Sequence, residues 1–171
     1  MNPRKRLRLI SLAGALAALL VAGSASAASP WTPLGADSFQ LAAGTRCPFT
    51  LRSDVIANAE RIRTLETYPD ASPRLQEVVG LLLVRYTNVE SGESVERNLT
   101  GTARVEYPED GGFILTLVGG HMAIGLPPTV EGGPAYLVFT GTGFVLDLNA
   151  DGSRTITYGN GQIENICDTL A

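Results

Sequence analysis

The residue types that most often carry catalysis are scarce in this chain of 171 residues, which has two cysteines and one histidine. A cysteine nucleophile needs a base beside it, and a Ser-His-Asp triad needs an imidazole that an acid orients. The histidine, His121, follows two glycines, and no G-x-S-x-G sequence occurs after residue 27. A histidine-based metal site would need carboxylates for all its other ligands. We therefore expect no catalytic residues, no metal and no cofactor.

One short segment has the opening pattern of a calcium-binding loop. Asp147, Asn149 and Asp151 are spaced as D-x-[DN]-x-[DN]-G, with Gly152 in the sixth position. The twelfth position is Tyr158, where a calcium-binding hand needs a bidentate glutamate. Asx and glycine residues are also what a hairpin turn requires. We favour the hairpin and keep a weak calcium site as the alternative.

Arg97 interrupts the most regular strand pattern in the chain, because it falls on the otherwise apolar face. An arginine on an inward face must lie at a rim, or meet a carboxylate or a ligand. We name Arg97 as a candidate for ligand contact, together with Tyr107, His121 and Tyr136. Carboxylates are plentiful, with 17 Asp and Glu residues, but no spacing selects a hydrolytic pair.

The first 27 residues have the layout of a secretory signal peptide. Arg4, Lys5, Arg6 and Arg8 precede an apolar run of 13 residues at 9–21, and Ala25-Ser26-Ala27 supplies a cleavage site before Ala28. The apolar run is short for a membrane span, which needs about 20 residues. We expect export with cleavage, a secreted protein, and no transmembrane segment in the mature chain.

Cleavage would leave 9 basic against 17 acidic residues, a formal charge of −8. Such a chain repels a phosphate backbone, so nucleic acid is not an expected partner. In an exported protein, two cysteines and no others favour one disulfide, Cys47–Cys167. The two cysteines would then lie near opposite ends of the folded region.

From Cys47 onward, apolar residues recur at every second position, the period of a half-buried strand. Turn-forming residues at 68–73, 91–92, 108–112 and 149–152 separate these runs. Residues 59–67 also fit a helical spacing, and we take them as a strand. Residues 78–84 are apolar on both faces, so we expect this strand to be covered on both sides.

These patterns predict an all-β fold of seven to eight strands joined mostly by short hairpins. We favour a closed antiparallel β-barrel, because closure removes the sheet edges, and keep a two-sheet β-sandwich as the alternative. The expected organisation is a signal peptide at 1–27, an N-terminal arm at 28–46 and a disulfide-closed all-β domain at 47–171.

The chain resembles a group of small secreted actinobacterial proteins of unknown function. The similarity covers most of residues 47–171 and rests on these motifs: Cys47-Pro48-Phe49, Tyr86-Thr87-Asn88 with Ser91-Gly92, Asn98-Leu99-Thr100-Gly101, Asp110-Gly111-Gly112 and the C-terminal sequence Ile166-Cys167-Asp168-Thr169-Leu170-Ala171. They are turns and a disulfide framework, so the resemblance implies the fold and export, and no catalytic residues.

Three kinds of function remain open at this point, one of them a structural or envelope-associated protein that attaches through the arm at 28–46. The favoured hypothesis is a non-catalytic binding or interaction module for a small apolar ligand or a cell-envelope component, since small barrels either fill with side chains or hold one ligand. The alternative is a carboxylate-dependent hydrolase or a barrel isomerase. It requires two acidic groups, or one acid and Arg97, in one pocket.

Overall fold

A computed structural model describes residues 28–171, so the expected signal peptide lies outside the described residues. No helix in this part of the chain is long and apolar enough to cross a bilayer. The elements, in chain order, are β1 (Thr32–Pro33), β2 (Phe39–Leu41), β3 (Leu51–Asn58), β4 (Arg61–Thr67), β5 (Pro73–Gly80), β6 (Leu82–Asn88), β7 (Ser94–Asn98), β8 (Gly101–Glu106), β9 (Phe113–Leu126), β10 (Ala135–Thr142), β11 (Phe144–Leu148), β12 (Arg154–Thr157), β13 (Asn160–Asn165) and the helical turn α1 (Ile166–Thr169).

The strands form two antiparallel sheets, which confirms the all-β expectation. The larger sheet has the order β1-β4-β5-β8-β9-β10-β13, with the β11–β12 hairpin added along the first part of β9. The smaller sheet has the order β2-β3-β6-β7. Neither sheet closes on itself within residues 28–171. The closed barrel is therefore not seen, and the two-sheet sandwich fits.

Three stretches of chain run through both sheets, so the strands are more numerous and shorter than expected. β3 continues into β4, β5 into β6 and β7 into β8 with only one or two residues between them. Gly80, at one bend, has φ +140°, a conformation that side chains rarely adopt. Gly101, beside another, has no room for a Cβ, which would lie less than 3.0 Å from the His121 backbone. Glycines here let neighbouring chains pass closely where they change sheet.

The expectation that residues 78–84 form one strand covered on both sides was wrong. The chain bends between Gly80 and Leu82, so its two halves belong to different sheets. The strand that does pack on both faces is β10, where Val138 lies in one apolar cluster and Phe139 in another. A continuous apolar run marks burial but does not show where the chain turns.

Two apolar clusters thus share β10 between them. The first lies under the smaller sheet and includes Leu51, Val84, Tyr86 and Ile166. The second lies under the β11–β12 hairpin and includes Leu117, Leu126, Phe139, Phe144 and Leu146. Each large side chain buried in this way stabilises the fold by about 1.5–3 kcal/mol.

The expected disulfide is confirmed. Cys47 and Cys167 are bonded, with their Cα atoms 5.1 Å apart and 120 positions between them in sequence. Both cysteines are buried in the first cluster. The Asn88 side chain donates a hydrogen bond of 2.9 Å to the Leu170 carbonyl, so the C-terminus is held to the smaller sheet by a second contact.

Residues 28–46, expected as an arm, lie against both sheets. β1 pairs with the edge strand β4 of the larger sheet, and β2 pairs with β3 of the smaller one. The Arg63 guanidinium lies 4.4 Å from the centre of the Trp31 ring, in a cation–π contact. Two edge strands are thereby covered by short segments of the same chain.

Candidate functional site

A cavity of about 470 Å³ lies between the two sheets. It lies beside the three bends at which the chain changes sheet, between β3 and β4, β5 and β6, and β7 and β8. Small-molecule sites usually measure roughly 300–1,000 Å³, and an engineered cavity of about 150 Å³ holds one benzene. This space could therefore take a ligand with the bulk of about three benzene rings. Both sheets contribute apolar walls: Phe39, Val55, Leu82 and Val84 from the smaller sheet, and Val78, Ala103, Val105, Leu115 and Met122 from the larger.

Part of the cavity wall, on the larger sheet, is less buried than the neighbouring core. Val78, Val105 and Leu115 face the cavity and are only half-buried. Leu117, two positions further along the same strand as Leu115, is completely buried in the second apolar cluster. The apolar surface of the larger sheet is thus covered by side chains at one end and left open at the other.

Two carboxylates lie on one rim of the cavity. Asp37 belongs to the segment that precedes β2, and Glu60 lies at the bend between β3 and β4. The two segments run side by side, because the Leu34 amide donates to the Glu60 carbonyl at 2.9 Å and the Val55 amide donates to Ser38 Oγ at 2.9 Å. Partial burial raises the pKa of Glu60 above its ordinary value. The rim is therefore acidic, and one of its acids is held in a partly apolar setting.

Two tyrosines line the cavity beyond this rim. The rings of Tyr86 and Tyr136 have centroids 5.1 Å apart and are tilted by 56°, and Phe39 lies 6.3 Å from Tyr136. Burial raises the pKa of both phenols, so both stay protonated at neutral pH. Their hydroxyls can donate or accept hydrogen bonds, while their rings extend the apolar wall.

Of the four residues named as candidates for ligand contact, the structure brings His121 and Tyr136 together in the cavity lining. His121 follows the Gly119-Gly120 bend of β9, and its backbone amide donates to the Thr100 carbonyl at 3.1 Å. The imidazole thus lies where β7 and β8 join. Both side chains line the cavity, and their role as ligand contacts stays a prediction.

Arg97 does not line the cavity. It meets a carboxylate, one of the three environments expected for it: Nε and Nη2 donate to the two oxygens of Glu164 at 2.7 and 2.6 Å. The Thr169 hydroxyl donates to the same carboxylate at 2.7 Å. Because Arg97 lies on β7 and Glu164 on β13, this ion pair connects the two sheets. Its role is structural.

Tyr107 lies outside the cavity. It borders an open surface groove with Tyr68, Pro108 and Glu109. Its hydroxyl donates to Gln76 Oε1 at 3.2 Å, and its carbonyl accepts a hydrogen bond from the Tyr68 hydroxyl. As the residue after the end of β8, it contributes to the turn that follows.

The segment considered for calcium is a hairpin turn. Asp151 Oδ1 accepts hydrogen bonds from the Ser153 amide at 2.8 Å and its hydroxyl at 2.6 Å, which lower the pKa of this carboxyl. Asn149 Nδ2 donates to Ser153 Oγ at 3.0 Å, and Asp147 lies within β11. In residues 28–171, no group of three or more His, Cys, Asp or Glu side chains is placed to hold a metal ion.

Sequence reasoning missed the two rim acids and Tyr86. Asp37 lies in a segment without a strand period, and Glu60 lies at a bend whose turn signal is the single residue Asn58. Tyr86 lies two positions beyond the predicted strand at 78–84, and its alternation with Val84 was the available signal. No protein-family model, no curated protein and no solved structure matches this chain.

Proposed function

We propose that this protein is a secreted, non-catalytic binding module that holds a small apolar ligand in the cavity between its two sheets. The observation that carries the proposal is the open apolar wall of β5, β8 and β9, where half-buried side chains face about 470 Å³ of space. Apolar surface left open inside a fold is stabilised when a ligand removes it from water. The polar groups at its edge would fix the orientation of that ligand.

Titration with N-phenylnaphthylamine, a neutral apolar fluorophore, tests this proposal on the mature protein. We expect saturable binding and a rise in the unfolding temperature, because a ligand that binds only the folded state stabilises it. Ala103→Phe should abolish binding, since the new ring would fill part of the cavity that Ala103 lines. Thr140→Phe is the matched control, because Thr140 is exposed and lies outside the cavity.

Binding that survives Ala103→Phe in a folded variant would contradict the proposal. Absence of binding to the unchanged protein would contradict it as well. Circular dichroism of both variants shows whether each keeps its β-structure, so loss of the site is distinguished from loss of the fold.

A second candidate function is an isomerase that moves a proton on an apolar substrate. It is favoured by one observation: two carboxyls, Asp37 and Glu60, line the same apolar cavity, and the pKa of Glu60 is raised. A base in such a setting is better matched to neutral pH than an exposed carboxylate is. Solvent deuterium incorporation into a bound enolisable ketone, lost in Glu60→Gln, would favour this candidate over simple binding.

A further inference from the structure

Both acidic side chains on the rim of the cavity are carboxylates, so the rim has one sign of charge. Among the described residues that line it, the ionisable ones are Asp37, Glu60, His121, Tyr86 and Tyr136, and none is Lys or Arg. The two acids lie on segments that run side by side, and both line the cavity. A negatively charged ligand would meet this rim without a cation to pair with.

Two arginines beside the cavity tyrosines lie outside its lining. Arg97 lies close to Tyr86, but both oxygens of Glu164 hold its guanidinium. Arg46 lies beside Tyr136, packs over Gly125, and donates through Nη1 to the Thr45 carbonyl at 2.9 Å. Neither arginine belongs to the cavity lining. The lining itself therefore contains two carboxylates and neither lysine nor arginine.

The cavity also separates its polar and apolar parts. The acids lie at the bend between β3 and β4 and on the segment beside it, whereas Val105 and Leu115 form the wall of the larger sheet. A ligand that fits has a polar group at one end and an apolar body of limited bulk. Opposite charges a few ångströms apart at a protein surface attract each other. This attraction raises the affinity of a ligand from several-fold to more than tenfold.

We propose that the cavity selects cationic amphiphiles, with an amine at the Asp37–Glu60 rim and an apolar body between the sheets. This inference rests on the proposed binding function and adds the chemical class of the ligand. It predicts that molecules with the same apolar tail but different head groups bind with different affinities. An amine should bind more tightly than the corresponding alcohol, and the corresponding carboxylate should bind most weakly.

Competition with bound N-phenylnaphthylamine tests this order, using decylamine, decanol and decanoate below their aggregation concentrations at pH 7 and low ionic strength. We expect decylamine to displace the fluorophore at a concentration about tenfold or more below that of decanoate. The double variant Asp37→Asn with Glu60→Gln should bring the amine and the alcohol to similar affinity. The double variant Glu93→Gln with Asp110→Asn is the charge-matched control, because both residues are exposed and lie outside the cavity lining.

The outcomes separate this inference from the proposed function. If the fluorophore binds but decylamine and decanoate compete equally, or if the amine is no better than the alcohol, the charge preference is wrong and the binding site stands. If neither the fluorophore nor any decyl compound binds, the proposed function itself fails. An amine preference that persists in the double variant would also overturn the role of Asp37 and Glu60.

Discussion

At the scale of single residues, buried charge is concentrated on the outer face of the larger sheet rather than in the cavity. Glu77 is 6% exposed and lies between Arg63 and Arg104 on the two neighbouring strands. Arg63 donates to one carboxylate oxygen at 2.5 and 3.0 Å, and Arg104 donates to the other at 3.2 Å. A carboxylate so deeply buried is tolerated because both its oxygens are hydrogen-bonded to cations.

This arrangement predicts how stability depends on pH. Hydrogen bonds from Arg63 lower the pKa of Glu77, and those from Arg97 lower the pKa of Glu164. A group whose pKa is lower in the folded than in the unfolded state stabilises the fold at pH values above its unfolded-state pKa. This stabilisation is lost as the pH falls through the folded-state pKa. We expect the free energy of unfolding to fall as the pH drops below about 4.5, the ordinary value for Glu.

The raised pKa of Glu60 acts in the opposite direction, because protonation relieves the cost of burying its charge. Urea unfolding between pH 3 and pH 7 measures the combined effect of these groups on the free energy of unfolding. Glu77→Gln should destabilise the protein by about 1–3 kcal/mol at pH 7 and make the acid dependence shallower. An unchanged slope in this variant would show that Glu77 does not contribute to it.

At the scale of elements, the bends decide the architecture. Each of three chain segments passes from one sheet to the other within one or two residues. Gly80, Gly101 and Gly120 lie beside these bends. An added Cβ at any of these positions would lie less than 3.0 Å from a neighbouring backbone. These glycines therefore permit a close approach of main chains that no other residue allows.

Gly101→Ala tests this explanation. We expect it to destabilise the protein by about 1–3 kcal/mol, because the new methyl group would overlap the His121 backbone and force the bend open. Gly35→Ala is the matched control, since its added methyl group would meet no atom within 4 Å. Chemical denaturation of the two variants gives the comparison, and equal stability would contradict the close-packing argument.

The turns were easier to predict than the bends. Ser91-Gly92, residues 108–112 and residues 149–152 were identified as turns, and the structure connects β6 to β7, β8 to β9 and β11 to β12 at these places. Such turns contain the Asx, Gly and Pro residues that their backbone requires. The bend at Ala59-Glu60 has one such residue, Asn58, whose side-chain oxygen accepts a hydrogen bond from the Glu60 amide at 2.8 Å. Long-range pairing of the strands on both sides also holds this bend in place.

At the scale of the whole molecule, covalent and ionic links connect distant parts of the chain. The disulfide joins Cys47, which precedes β3, to Cys167 in α1. The Arg97–Glu164 pair connects edge strands of the two sheets. Between these links, the apolar clusters leave the cavity open toward the bends. The two sheets are thus linked by the disulfide, by the ion pair and by the three chain segments that run through both of them.

Replacing both Cys47 and Cys167 by Ser tests the contribution of the disulfide. Closing a loop of 120 positions should stabilise the fold by about 4–5 kcal/mol in the chain-entropy model. We expect the variant to show a lower urea midpoint, with the β-type circular dichroism spectrum retained at low denaturant. A thiol assay on the unfolded wild-type protein should find no free sulfhydryl, and two of them would contradict the assignment.

The sequence by itself determined the local properties of this protein: the period of two along the strands, most of its turns and, from the two cysteines, the disulfide. These depend on side chains that are close in sequence or on a pair with no alternative. Only the tertiary structure decided that the strands bend into two sheets, that Arg97 meets Glu164, and that Asp37 and Glu60 share one rim. Each of these results from the pairing of segments far apart in the chain, which a local pattern does not encode.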